Sequence, residues 1–593
     1  MKKYNKIVVS FLSILFLASC SSNFLDYEPT GVLSPENVAT AENADALVNA
    51  AYAAIGNDEM VGPITHQWVY GSVRSDDAYK GGGGRGDVDV VDRYEQYNLT
   101  IADYGDLMLP RTWTNHYKAI SRANFALSVI NNLPDADYPL KKVRQAELRF
   151  LRAHSHFMLK LLFKKVPYIT EDLSQEQILK TSNDLSNEDL WNKIAADFLF
   201  AYDNLEQSQE QVGRADKNAA AAYLAKLRLY QAYEQNDTHQ VVNINQARLQ
   251  EVIDYADKVT GSLEPDFGYN FLDGHDNGPE SIWAVQFSIN DGTNTGRVSF
   301  VTGLNSPHGT PLYGCCGFHM ASQNMVNAFK TDATSGLPLL DTFNNDNDND
   351  PDTDEDIFNT ISNGDAPLAA GVTIDPRIDH TVGIPGRPFK YKNTLKTAGD
   401  MVYKSSWARD PGVYGYFGNM KEQQSPDCSC YVKNGPFIGT SKNVDFIRYA
   451  DVLLFKAEAL IQKGDLESAR IIINKIRDRA KKSTAMPLAA GASNDYKIEE
   501  YPIDSPTFST KDSAMKALMF ERRLEFAMEG PRFFDLVRWG IAEKVLNEYL
   551  GVEETKRDFL SGAEFTAGRD EYYPIPQREI DFTGGLYKQN PGY

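Results

Sequence analysis

After its first twenty residues the chain contains no apolar run approaching the ~18 residues that span a bilayer, so no later segment is read as a membrane-crossing helix. Cysteine is scarce, five in 593 residues, and positive charge is outweighed, with 60 Lys and Arg against 81 Asp and Glu and a formal charge of -21. A surface that acidic repels nucleic acid and anionic head groups and leaves neutral ligands open. Catalytic signatures are missing as well. No serine sits in a nucleophile elbow, and Gly81–Gly84 is not followed by the Gly-Lys-Ser/Thr of a phosphate loop. His154 and His156, two residues apart on a helix, face opposite sides and cannot chelate one ion.

What is present begins at the N-terminus. Lys2, Lys3 and Lys6 precede an apolar stretch from Ile7 to Ala18 that stops at Leu17-Ala18-Ser19-Cys20. A charged start, a short hydrophobic core and small residues before the cut are what signal peptidase requires. Cys20, followed by polar Ser21-Ser22-Asn23, is placed to carry diacylglycerol and palmitate as the first residue of a mature lipoprotein. The acyl chains, at ~0.8 kcal/mol per buried methylene, would hold it to a membrane. The other four cysteines form two close pairs, Cys315-Cys316 and Cys428-Ser429-Cys430. In an exported chain they predict one or two disulfides between the pairs, or free buried thiols. A four-thiolate zinc site is the alternative, disfavoured because neighbouring side chains diverge.

Apolar residues then recur at helical spacing over 43–55, 112–133, 140–163, 187–205, 218–234 and 245–259, and again over 448–463, 466–480 and 513–530. Alanines such as Ala219–Ala222, Ala225, Ala232, Ala457, Ala459 and Ala469 mark helix crossings, giving degenerate hairpins of tetratricopeptide type. Between 261 and 444 the texture turns to Gly, Asn, Asp and Pro, with Ile282–Phe287 alternating like a strand. The chain therefore divides into a leader (1–19), a lipidated tether (20–42), a helical part (43–260), a loop-rich insertion (261–444) and a second helical part (445–593).

Several ordered segments carry a resemblance. Cys20 leads to Phe24-Leu25-Asp26 and Pro29-Thr30; Trp113, Tyr117, Ile120, Ala123 and Asn124 follow, then Ala146–Ala153 with Val166-Pro167, and Asp375-Pro376-Arg377. The C-terminal third adds Ile447–Leu454, Ala457-Glu458-Ala459, Glu521–Phe526, Glu529–Trp539, Tyr573–Ile580 and Gln589–Tyr593. Together these resemble the SusD/RagB family of outer-membrane nutrient-binding lipoproteins of Bacteroidota. Lys164-Lys165 and Pro531 depart from its usual pattern. The resemblance implies a mainly α, SusD-like helical scaffold with a loop-built ligand region, exposed at the cell exterior. It also implies an oligosaccharide ligand, a SusC-like TonB-dependent transporter as partner, no catalysis and no required cofactor. A peptide receptor of RagB type is the runner-up, and a structural adaptor of the transporter the third reading.

Three clusters are nominated for sugar contact, because aromatic faces pack on pyranose C–H groups while carboxylates and amides take hydroxyls. The first is Trp68, Tyr70, Asp76, Asp77 and Tyr79 before the glycine run; the second Tyr313, Phe318 and His319; the third Trp407, Arg409, Tyr414 and Tyr416. Lys404 beside Arg409 is a local basic pair that could admit anionic sugars. In the acidic stretch 344–356, Asp346, Asp348, Asp350 and Asp352 offer hard oxygen ligands for a structural Ca²⁺, although Pro351 occupies the place of an EF-hand's glycine. A solvated acidic loop is the alternative. The charged series from Glu521 to Arg538 is read as structural ion pairs within and between helices rather than as an acid/base site.

Overall fold

The computed structural model describes residues 38, 40–56, 59–100, 108–292, 297–310, 313–344, 371–390, 402–425, 428–492 and 495–593. Cys20 and the acidic residues Asp346, Asp348, Asp350 and Asp352 lie outside them. The longer helices are α1 (Ala41–Ile55), α2 (Met108–Asn131), α3 (Lys141–Phe163), α4 (Asn187–Asn204), α5 (Lys217–Ala232) and α6 (Gln246–Ala256). After the loop-rich part come α7 (Tyr449–Lys463), α8 (Leu466–Lys482), α9 (Lys511–Phe526), α10 (Arg532–Trp539) and α11 (Ala542–Glu553). The architecture is mainly helical.

Local chemistry sets the helix starts. The side chains of Thr40, Ser186, Asp216, Asn245, Asp465 and Thr510 each accept a backbone N–H of the first turn that follows, satisfying a donor the helix itself leaves open. One end differs from expectation. The pattern predicts a helix to Gly530, yet α9 stops at Phe526, because Ala527 turns extended and Met528 and Gly530 take positive φ of 65° and 93° before Pro531 opens α10. That reversal is packed tightly: a side chain on Gly71 would overlap the Gly530 carbonyl, so two backbones touch where only glycine fits.

Successive helices stack, α1 on α2, α2 on α3, and so on to α6, which lies against α7; α7 then packs on α8 and α9. The two helical parts thus form one continuous layer. Alanines 219–222 and 225 on α5 and Ala457 and Ala459 on α7 are fully buried, where small side chains let helix axes approach. Strand β2 (Ser281–Val285) pairs antiparallel with β4 (Val444–Arg448), placing Trp283 opposite Ile447 and closing the loop-rich part onto the helices. Trp283 is core, its ring 4.8 Å from Phe150 and 5.7 Å from Tyr223.

The charged series makes ion pairs as expected, but mostly across long distances in the chain. Within that series, among the described residues, only Asp535 and Arg538 pair inside one helix, at 2.9 Å. Arg522 reaches Asp535 at 2.8 Å, and Arg538 takes Glu458, which also accepts from Tyr233 and Trp539.

Candidate functional site

The three nominated clusters converge. Strand β1 (Ala78–Gly81) pairs antiparallel with β3 (Phe318–Ala321), Gly81 standing opposite Phe318, and the ladder continues as Gly82 N–H donates to Gly317 C=O at 2.8 Å. Trp68 lies 5.5 Å from the His319 ring, and Tyr313 lies 6.2 Å from Trp407. Residues far apart in sequence therefore share one loop cluster.

Their orientation overturns the expectation that the aromatics face a ligand. Trp68, Tyr70 and His319 are 0 % exposed, Tyr79 and Tyr414 1 %, Tyr313 3 % and Trp407 6 %. Each is engaged inside. Tyr70 Oη is hydrogen-bonded to Thr112 Oγ1 at 2.6 Å, Tyr79 donates to Glu553 at 2.6 Å and Tyr313 to the Gln424 carbonyl at 2.9 Å. His319 Nδ1 meets Glu422 at 2.9 Å, and the Tyr414 ring packs 5.2 Å from Phe559. A loop must bury something, and rings gain more from burial than any neighbour here.

Asp76 and Asp77 are likewise committed. Arg532 grips Asp76 through Nε and Nη2 at 2.8 and 2.9 Å, and Arg523 donates to Asp77 at 2.9 Å. Burial pushes the Asp76 carboxyl up, but Arg523 and Arg532 outweigh it and hold it at about 2. For Asp77 burial prevails over Arg523 and raises it. Of the nominated residues, Arg409 and the half-buried Tyr416 remain open to solvent.

What the cluster presents outward is different: a glycine backbone, a guanidinium and short polar side chains. Lys80 ties the glycine loop down from within, donating to the carbonyls of Gly84 at 2.9 Å and Asp87 at 2.6 Å. Gly82 has φ of +83°, and a Cβ there would sit 2.6 Å from the Phe318 ring, so the loop can lie flat only as glycine. Asp87 Oδ2 accepts both Gly83 N–H at 2.9 Å and Arg409 Nη1 at 2.7 Å. Arg409 also approaches the Cys316 carbonyl at 3.4 Å, and its side chain keeps 33 % of its surface exposed. His308 stands beside it, its backbone N–H donating to the Trp407 carbonyl at 2.9 Å. Sequence reasoning found the glycine run and Arg409 but missed Asp87 and His308, which have no local signal and are brought in by the fold.

The cysteines are corrected too. Disulfides form within each pair, Cys315 to Cys316 and Cys428 to Cys430, rather than between them. Each sulfur already has its partner one or two residues away, so none is left to cross. No group of three or more His, Cys, Asp or Glu is placed to hold a metal among the described residues.

A family model described as the SusD family matches residues 279–593, and one described as starch-binding associating with outer membrane matches 23–229. SusD-like protein P2 of Formosa agariphila is 24% identical over 602 residues, covering 100% of both chains. Starch-binding protein SusD of Bacteroides thetaiotaomicron is 26% identical, covering 80% of this chain and 76% of its own. Surface glycan-binding protein A from Bacteroides fluxus superposes with a TM-score of 0.64 at 22% identity, over 93% of this chain and 100% of that one. With more than half its length matched by the family model, the chain belongs to the SusD family.

Proposed function

We propose that this protein captures oligosaccharides outside the cell, held to the outer membrane by lipid on Cys20, and passes them to a SusC-like TonB-dependent transporter without hydrolysing them. The observation that carries the reading is the convergence of the glycine loop, Arg409 with Asp87, and His308 on one exposed surface. Backbone groups, a guanidinium fork and a carboxylate offer donors and acceptors in the mixture that sugar hydroxyls require, and Tyr416 adds an aromatic face. Arg409 and Asp87 neutralise each other, which suits a neutral glycan. The names of relatives that bind starch or surface glycans support the same class of ligand. A binding role fits the carboxylate as well, since Asp87 is occupied by Arg409 and Gly83 rather than poised across a cleft from a second acid.

Calorimetric titration with a panel of α- and β-linked oligosaccharides tests this. Arg409→Ala should weaken the best ligand roughly tenfold, the worth of a charged hydrogen bond, with little change in Tm, because an exposed ion pair contributes at most ~1 kcal/mol. If no glycan binds while oligopeptides do, the peptide reading replaces this one. Cys20→Ser should release the protein from the membrane fraction with its ligand affinity intact, and lost affinity would contradict a purely anchoring role for that residue.

A further inference from the structure

A pocket of about 190 Å³ lies where α3 and α5 of the first helical part meet α7, α9 and the Met528–Pro531 reversal of the second. It is far larger than a single water needs, and its wall is chemically uneven. Tyr223, Phe455 and Phe526 supply apolar surface, and between them stand polar groups that the protein leaves unmatched.

Arg522 is the clearest case. It is 3 % exposed, its Nε donates to Asp535 at 2.8 Å and its Nη2 lies 2.8 Å from the same carboxylate, while Nη1 has no partner. Lys226, on α5, makes no ion pair or hydrogen bond through its ammonium among the described residues, although Tyr223 and Phe157 lie within 6 Å of it, at 5.9 and 5.7 Å. Asp451 acts on both cations, yet its carboxylate is turned to the Arg448 N–H at 3.0 Å. Gln67 lines the same space with both amide atoms unpartnered, as does Thr65 with its hydroxyl. Burying one polar group unsatisfied costs ~1–3 kcal/mol, and more for a charged one. Gathering several around one void is what a binding site does.

We propose that this chamber is a site for a small oxyanion, a carboxylate or phosphate held between the free edge of Arg522 and the ammonium of Lys226. The unmatched donors set the class. A guanidinium edge and a lysine are the pair that recognises oxyanions by charge-assisted hydrogen bonds. Asp451 attracts Lys226 without a hydrogen bond to it, so a neutral solute would leave the ammonium without a charged contact, and a cation would meet two like charges. The amide of Gln67 and the hydroxyl of Thr65 can complete the shell, and the aromatic walls strengthen each contact by excluding water.

The probes are inorganic phosphate and acetate, with acetamide as the uncharged shape control. Crystals soaked in each, together with thermal shift and calorimetry on the whole chain, should show phosphate or acetate bridging Lys226 and Arg522, a saturable rise in Tm, and no effect of acetamide. Lys226→Met keeps the aliphatic stem and should weaken the anion about tenfold or more. Gln67→Leu, which removes a neutral contact, should weaken it less and serves if Lys226→Met does not fold. Water alone in the chamber at saturating phosphate and acetate, or undiminished anion binding in both variants, overturns the proposal.

Discussion

Glu525→Ala should lower the unfolding free energy by about 3–5 kcal/mol, the cost of breaking a buried ion pair from one side. Glu525 is fully buried near the end of α9 and is shared by Arg377 at 3.1 Å, Arg448 at 3.1 Å and Arg479 at 2.5 Å. Each arginine also serves another carboxylate: Arg377 holds Asp375 and Glu521, and Arg448 and Arg479 both hold Glu280. Removing the shared acid takes one carboxylate from each of three buried cations and leaves Arg448 and Arg479 sharing Glu280. Burial disfavours the ionised Glu525, yet Arg479, Arg448 and Arg377 outweigh it and hold its carboxyl far below the ordinary glutamate range. A group whose folded-state pKa is depressed stabilises above its unfolded value of about 4.3 and loses that contribution as pH falls toward the folded value. Urea denaturation at pH 7 and at pH 3 should therefore show a wider gap for wild type than for Glu525→Ala. A loss under ~1 kcal/mol at neutral pH would mean that the network is not cooperative.

Asp76→Ala is expected to cost nearly as much and, unlike Arg409→Ala, to lower ligand binding and stability together. Asp76 is the counter-ion of Arg532 and lies 3.2 Å from Arg523, so its loss strands the Arg532 guanidinium and leaves Arg523 with Asp77 as its carboxylate. It also frees the segment from which β1 and the glycine loop are hung. Thermal denaturation should show a drop of several degrees, on the order of 3 kcal/mol, before any ligand is added. An Asp76→Ala protein that keeps its Tm while losing glycan affinity would return Asp76 to the role of a sugar acceptor. The pair of variants separates the frame of the site from its face.

Helices were readable because their determinants are local. The apolar period and the capping side chains at Ser186, Asp216, Asn245 and Thr510 lie within a turn of the ends they set. The grouping of charged residues on α9 and α10 as structural was readable as well, although their partners were not. Asp76, Arg377 and Glu458 come from elements with no sequence link to them. That the three clusters share one loop region was legible in outline, and the direction in which their aromatics point was not. A loop has no period to say which way Trp68, Tyr79 or Trp407 points, and an aromatic beside a glycine run reads the same whether it floors the loop or faces solvent. The cysteine pairing failed for a related reason, since separation in sequence says nothing about which sulfur is nearer when both options are open.

The hydrogen bond from Arg532 to Asp76 joins residues 456 positions apart. Contacts that distant are made late, because the entropy of closing the intervening loop must be met before they can reward it. Until α10 is in place, Asp76 lacks the arginine that grips both its oxygens. A chain cut short before α10 would lack the clamp on which the proposed binding face is hung.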